Sequence, residues 1–475
     1  MTDQSLNIDP VFTEVQAQGV LADDAPGLAT VYAELLGRAP ENKMEPRLDA
    51  VRRAVDILGE PHRSAPVIHV TGTNGKTSTA RMIERLLMAH DIRTGRYTSP
   101  HLARVTERIS IDGAPVADST FVRIWGEIKP YLDIVDAELE AAGQPRITYF
   151  EALTILAFAI FADEPVDVMV LEVGIGGTWD ATNVADATVS VVTPIGLDHT
   201  DILGETLAEI AAEKAGIIKP DGFLVSAVQD PQAAQVLLEA AQAQNADYRF
   251  EGVEFGTTQR TAGVGGQLIT IEGLATRYDD IALPLFGAHQ AQNASVALAA
   301  VEAFLGGGQK ELNLELVKLA FGEVRSPGRL ELARTEPPVV LDAAHNPHGL
   351  LASATAFKES FSFQELHLVV GILGEKDAAG MFEILLSEYV DRQDFRTVLH
   401  LTASDSPRAI APEALVELAL EAGFDEDKVE THENVADALA AAAVTVAADV
   451  PNLNSAVLVT GSITVVGQAS TLLGL

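Results

Sequence analysis

The stretch Val67–Ala80, VIHVTGTNGKTSTA, joins an apolar run to glycines at 72 and 75 and a Lys-Thr-Ser triplet at the head of a helical pattern. Glycines let a backbone come close to phosphate oxygens, and a helix start adds unpaired N–H groups and the positive end of a dipole. In such a loop Gly72, Thr73, Asn74 and Gly75 would wrap the phosphates and Lys76 would reach the β- and γ-oxygens. Thr77 and Ser78 would bring hydroxyls to a phosphate or its Mg²⁺. A plain glycine turn leading into a helix is the simpler alternative, but it leaves the ordered succession of strand, two glycines, Lys-Thr and helix unexplained. Val70 stands where the strict pattern has glycine, and no Asn-Lys-x-Asp guanine-reading segment occurs, so ATP is expected rather than GTP.

Further along, Glu172 closes the apolar run VDVMVLEVG, at the carboxyl edge of a strand, where ligands of doubly wound folds collect. His199 in LDHTDILG could be a core or helix-capping histidine, and Lys214 in AEIAAEKAGIIK a solvated one. His289 and Asn293 lie one helical turn apart in GAHQAQNA and so face the same way. Thr148 with Glu151 makes a capping box ahead of the apolar stretch EALTILAFAIF, and capping is given the larger share of its role.

The elements that must position these residues alternate. From Val67 to about Gly306, the runs APVIHVTG, DVMVLEVG, TVSVVTPIG and GFLVSAV have the Val/Ile content of buried strands, with helical patterns such as TARMIERLLMAH between or after them. The fold class expected is α/β, a P-loop-type parallel-sheet domain covered on both faces, followed by a smaller Rossmann-like α/β domain. The second series is PPVVLDAAHNP, LHLVVGILGEKD, TVLHLTASDSPR and AVLVTGS, with a hinge near Ser326-Pro327-Gly328. Domains of 1–325 and 326–475 follow, with 1–20 as a flexible leader.

At 475 residues and 47% hydrophobic content the chain is long enough for two cores. The 68 acidic against 32 basic residues, a formal charge of -36, repel nucleic acid and anionic membrane surfaces. The absence of cysteine excludes disulfides, thiolate metal sites and a cysteine nucleophile. No signal-peptide plan opens the chain and its longest apolar run, Ala152–Ala162, is about half a bilayer crossing, so a cytoplasmic protein is expected.

The segment HVTGTNGKTS resembles the loop of the Mur ligase superfamily, ATP-dependent amide-bond ligases whose loop omits the first glycine. TSPHL (98–102), EVGIGG..DATN (172–183), IGLDHTDILG (195–204), AAEKAGIIKP (211–220), HQAQNA (289–294), SPGRLE (326–331) and DAAHNPHG (342–349), in order along the chain, narrow the resemblance to folylpolyglutamate synthase/dihydrofolate synthase. That resemblance implies two Mg²⁺ ions held by Ser99, Glu172, His199 and a Lys214 that is carbamylated by CO₂, since a cationic lysine would oppose metal binding. The intervals from Glu172 to His199, 27 residues, and from His199 to Lys214, 15, fit the family. It further implies that Asn293 pairs with adenine, that Asp342 accepts ribose hydroxyls with His345 beside it, and that Arg329 brings a cation to the phosphates when the domains close. Pro100, His101, Thr148, Phe150 and Asp180 are implied contacts of the pterin-bearing substrate, and Lys376 (GEKD) and Arg408 (SPRA) of the incoming glutamate. Where the family commonly has arginine after the second glycine of EVGIGG, this chain has Thr178.

The activity implied is addition of L-glutamate to dihydropteroate or to the glutamate tail of reduced folates through an acyl phosphate, by a monomer whose partners are small molecules, with K⁺ left open as an extra cation. Two rivals remain: a Mur ligase acting on a UDP-muramoyl precursor, against which the SPH segment and the mere 65 or so residues ahead of the loop argue, and an ATP-driven binding switch that forms no bond.

Overall fold

The computed structural model describes residues 27–40, 46–390, 396–448 and 455–475, so the leader expected over 1–20 lies outside the described residues. The chain divides into two compact units, one ending at Ser326 and the other running from Pro327.

In the first unit the apolar runs become strands. β1 (Val67–Thr71), β2 (Thr94–Tyr97), β3 (Ile109–Ile111), β4 (Ala114–Pro115), β5 (Val168–Glu172), β6 (Ala187–Val192), β7 (Phe223–Ser226) and β8 (Asp247–Phe250) form one sheet in the order β4-β3-β2-β5-β1-β6-β7-β8. The strands from β2 to β8 in that order pair in parallel, and β3 and β4 add an antiparallel edge. β1 and β5 are buried at every position, as strands covered on both faces must be. Side-chain alternation divides them between two cores. Val67, Met169 and Leu171 pack with the helix Tyr149–Asp163, whereas Ile68, Val70, Val168 and Val170 pack with the helices Lys76–Ala89 and Ala288–Gly306. Val70 thus belongs to a buried strand position, in register with Glu172.

The helix Tyr149–Asp163 is buried nearly all round, as its uninterrupted apolar composition requires. Its N-terminus carries the capping box: Thr148 accepts from the Glu151 N–H, and Glu151 accepts from the Thr148 N–H at 2.7 Å while Arg47 grips both carboxylate oxygens.

The continuous α/β alternation expected up to about Gly306 needs correction. β9 (Gly256–Gly263), β10 (Gly266–Glu272) and β11 (Arg277–Leu283) form a separate antiparallel sheet. β11 turns Tyr278, Ile281 and Leu283 to the core and β9 has no buried position, so neither has the continuous apolar run that marks a central parallel strand.

The second unit holds β12 (Glu331–Thr335), β13 (Pro338–Leu341), β14 (Glu365–Val370), β15 (Arg396–Leu401), β16 (Val429–Thr431) and β17 (Ser455–Thr460), in the order β12-β13-β17-β14-β15-β16. All pairs are parallel except the β12–β13 hairpin.

Candidate active site

The loop after β1 lies between the carboxyl ends of β1, β5 and β6. Thr71 Oγ1 donates to the Gly176 carbonyl, and Thr73 is tied to the loop after β6 through its N–H to Pro194 O at 2.9 Å and its hydroxyl to Gly196 O at 3.0 Å. Both glycines are required by space. A Cβ at Gly72 would sit 1.9 Å from Thr193 Oγ1, and Gly75, at φ 87°, would carry one 2.6 Å from Asn293 Oδ1. Gly75 is the N-cap of the helix Lys76–Ala89, so the N–H groups of that first turn face the loop. Lys76 folds its ammonium back onto the carbonyls of Gly72 and Thr73, at 3.0 and 3.1 Å.

Glu172 is 1% exposed at the end of β5. Its Oε1 accepts from the Thr77 hydroxyl at 2.9 Å and its Oε2 from the Ser99 N–H at 3.3 Å. Thr77, Ser99 and Glu172 are therefore brought together, and oxygen donors of this kind suit Mg²⁺. Ser78 departs from expectation. Its hydroxyl is buried against Ser326 Oγ at 3.0 Å and within reach of the Gln290 amide, so it braces the loop helix rather than facing the phosphate loop.

Lys214 is buried on the helix Leu207–Ala215, and its ammonium donates to the Gly72 carbonyl at 3.0 Å, which places it at the base of the loop. Burial, then the nearby Lys76 cation, lowers its pKa to about 7. A solvated surface lysine is thereby excluded. His199 precedes a short helix with φ 51° and ψ 41°, a left-handed conformation uncommon for a side chain with a Cβ, and Asp198 caps its N–H at 3.0 Å.

The strand and loop carrying Ser99 are held by charges that the sequence did not single out. Arg96 is buried at the end of β2 and donates to Glu84 at 2.8 Å and to the Thr98 hydroxyl; Glu84 also accepts from Ser110 and the Gly113 N–H. Glu107 gathers the N–H groups of Leu102, Ala103 and Arg104, closing the loop that follows Pro100. His101 Nδ1 accepts from Arg108 at 2.8 Å, and burial together with that guanidinium holds the imidazole well below its usual pKa, hence neutral. Glu107 lies three residues from Arg104, a spacing common on solvated loops, and the Arg96–Glu84 pair, twelve residues apart, has no local signature.

Phe150 packs its ring where Gly174 has no side chain and lies 6.0 Å from the Tyr97 ring. Asp180 is buried with its carboxylate spent on the N–H groups of Gly174, Ile175 and Thr182, so it shapes the EVGIGG loop rather than offering oxygens to a ligand. Desolvation raises its pKa against those hydrogen bonds. Thr178, exposed, bonds the Glu213 carbonyl with its N–H and hydroxyl, linking that loop to the helix of Lys214. Asn293 is buried beside Gly75 and donates to Gln290, with His289 one turn earlier on the same helix.

In the second unit Asp342 follows β13 and accepts from the N–H groups of Leu330 and Ala344, at 2.9 and 3.0 Å. Burial raises its pKa while the charge of Arg329 lowers it, which puts these two residues in one electrostatic neighbourhood. His345 lies three residues after Asp342, its Nδ1 2.9 Å from the Ala343 carbonyl. An isolated bridge between Leu373 and Ala409 brings the loops of Lys376 and Arg408 side by side, but the Arg408 guanidinium is already paired with Glu375.

A parallel sheet whose central strand feeds a glycine-lysine loop and helix, beside an acid at the next strand end, defines a phosphate-binding α/β enzyme domain. Residues 70–301 match the Mur ligase middle domain and residues 328–463 the Mur ligase glutamate ligase domain. The chain is 44% identical over 473 residues to the dihydrofolate synthase/folylpolyglutamate synthase of Mycobacterium tuberculosis, covering 95% of each. It is 34% identical to the enzyme of that name from Bacillus subtilis, over 77% of this chain and 83% of the other. Among solved structures, the M. tuberculosis folylpolyglutamate synthase complexed with ADP and AMPPCP superposes with a TM-score of 0.87 at 44% identity, covering 94% of this chain and 98% of that one. The E. coli FolC complex with DHPP and ADP gives 0.79 at 29% identity, covering 96% and 99%. The chain belongs to the dihydrofolate synthase/folylpolyglutamate synthase family of Mur ligases. Among the described residues no helix is long and apolar enough to cross a membrane.

Proposed function

We propose that the protein is an ATP-dependent ligase that joins the amine of L-glutamate to the carboxylate of dihydropteroate or of the glutamate tail of a reduced folate. The observation that carries this is the convergence, beneath one glycine-lysine loop, of Glu172 with Thr77 and Ser99 and of the buried Lys214 with the Gly72 carbonyl, in a chain related over 95% of its length to a protein of that name.

An acceptor carboxylate oxygen attacks the γ-phosphorus as its bond to the β-phosphate breaks, releasing ADP and leaving an acyl phosphate. The glutamate amine then attacks the acyl carbon, phosphate departs and the amine loses a proton. Lys76, now folded on the loop carbonyls, turns to the β- and γ-oxygens, and the N–H groups from Gly75 onward spread the charge of the transferring group. Glu172, Ser99, His199 and a carbamylated Lys214 would hold Mg²⁺, which when bound supplies charge neutralisation at the γ-phosphate. Carbamylation balances simply: the neutral amine bonds to the carbon of CO₂ and releases one proton. Asn293 recognises adenine, Asp342 and His345 the ribose, and Arg329 adds a fixed cation at the phosphates. Pro100, His101 and Phe150 contact the pterin-bearing acceptor, Asp180 and Thr148 shape its surroundings, and Lys376 and Arg408 meet the glutamate carboxylates.

ADP release should require both a pterin-bearing acceptor and glutamate, and mass spectrometry should show an acceptor heavier by one glutamyl residue. ADP release indifferent to glutamate would favour a nucleotide-driven switch instead, and turnover on a UDP-muramoyl acceptor alone would favour the cell-wall branch of the superfamily.

A further inference from the structure

The second unit contains a row of imidazoles that the ligase reaction does not use. Alternation along β14 places Glu365, His367 and Val369 on one face of the sheet. Val369 is in register with His400 of β15, and His400 with Glu430 of β16, so these side chains share that face; His432, two residues beyond Glu430, continues it. The rings of His367, His400 and His432 stack in sequence, with centroids 5.2 Å apart at each step, close to the strand spacing of about 4.8 Å. His400 is buried at the centre of the row, and Glu430 reaches solvent at its open end.

Three donor atoms converge there. His400 Nδ1 lies 3.0 Å from His432 Nε2 and 3.3 Å from Glu430 Oε2, and those last two are 3.8 Å apart. Ligands of a tetrahedral zinc ion, at about 2.0–2.1 Å from the metal, are separated from one another by about 3.3 Å, so the observed triangle needs only small side-chain adjustments to close on an ion.

The support behind the triangle also matches a metal centre. His400 Nε2 is 2.9 Å from His367 Nδ1, and His367 Nε2 is 3.4 Å from Glu365 Oε1, where it makes no hydrogen bond of good geometry and is otherwise a buried, unsatisfied atom. With His400 Nδ1 committed to a metal, its Nε2 proton would donate to His367, and His367 Nε2–H would turn to Glu365. That relay fixes the tautomer and ring orientation of the liganding histidine, as carboxylate-backed histidines do in metal centres.

We propose that His400, Glu430 and His432 form a site for a borderline divalent cation of the zinc class, with His367 and Glu365 as its supporting shell and solvent at the remaining position. Imidazole nitrogens select this class over Mg²⁺, which takes oxygen donors. The site has a mechanical consequence. Among the described residues β16 is the three-residue edge strand of its sheet, paired with β15 alone, and a bound ion would clip that edge to the sheet interior through one ligand on β15 and two on or just beyond β16.

The test uses tag-free, full-length protein stripped with a chelator, titrated with Zn²⁺ against a chromophoric competitor in saturating Mg²⁺, which occupies oxygen-rich sites. One tight equivalent should bind, Co²⁺ should give the visible band of a four-coordinate ion, and Zn²⁺ should raise the melting temperature by a few degrees. Glu430→Gln and His432→Gln, whose side chains are not in the core, should each weaken binding by at least about 10-fold and abolish the thermal shift. His367→Gln should keep the stoichiometry but weaken affinity about 10-fold, as loss of an outer-shell partner does, while His199→Gln should leave the equivalent intact. Absence of a tight equivalent, or an equivalent that survives both Glu430→Gln and His432→Gln, would overturn the assignment.

Discussion

Lys214→Arg separates a carbamylated lysine from a merely buried one. The amine is enclosed, bonded to the Gly72 carbonyl at 3.0 Å, and lowered to a pKa of about 7 by desolvation and then by Lys76. At pH 7.5 a group with that pKa is about three-quarters neutral, whereas an ordinary lysine near 10.4 is neutral in about one molecule in a thousand. The enclosure thus raises the supply of CO₂-reactive amine by about 600-fold. Arginine keeps its charge at any working pH and cannot take up CO₂. ADP release by Lys214→Arg should fall by at least about 10³-fold, the order lost when a charge-stabilising group is removed from phosphoryl transfer, in a protein whose circular dichroism still shows the folded state. In the parent enzyme equilibrated with ¹³CO₂, a carbamate resonance should be present above pH 7 and should fade, with activity, as pH drops through about 7 and the amine protonates. The same shift sets a stability slope for the unmodified chain. Its unfolded state binds one more proton than the folded state between about pH 7 and 10.4, so stability should rise with pH across that window and level off below and above it. An active Lys214→Arg enzyme, or a protein without a carbamate signal at full activity, would refute the argument.

Lys76→Ala should reduce kcat/KM by at least about 100-fold with little change in melting temperature, because its half-buried ammonium bonds the Gly72 and Thr73 carbonyls of its own loop rather than packing in a core; near-normal turnover would remove the loop lysine from catalysis. Gly75→Ala should cost about 1–2 kcal/mol from its left-handed backbone and weaken nucleotide binding further by pushing on Asn293. Adding Asn293→Ala should relieve the second effect and not the first, and simple additivity in a calorimetric double-mutant cycle would show that no clash had existed. Thr148→Ala should lower the unfolding free energy by about 1 kcal/mol in denaturant titration, as loss of a capping side chain does. A raised KM for the acceptor with unchanged stability would instead return Thr148 to the substrate surface.

What could be seen in the chain before folding, and what could not, follows from how each feature is encoded. β1 and β5 are buried on both faces, so their sequence is a nearly unbroken apolar run, and an acid such as Glu172 at the end of one stands out. The loop after β1 is equally visible because its demands are local: glycine where a Cβ would strike Thr193 or Asn293, and lysine at the first turn of the helix. The β9–β11 sheet gives a weaker pattern: β9 has no buried position and β11 is buried at three of its seven, so glycines and charges interrupt any apolar run. Orientation was the harder quantity. Thr77 and Ser78 are chemically alike neighbours, yet a rotation of about 100° per helical residue sends one hydroxyl to Glu172 and the other into the buried contact with Ser326. Asp180 and Glu172 are likewise both buried acids beside glycines. The first is consumed by N–H groups of its own loop, whereas the second receives a hydroxyl and an N–H from two separate elements at the sheet edge. Lys214 shows why such cases need the fold. Its neighbours Glu209 and Glu213 give the helix a solvated look, but the helix turns this one side chain inward to a carbonyl contributed 142 residues earlier. The property that makes it reactive, loss of water around an amine beside another cation, is set by that long-range contact and has no local signature.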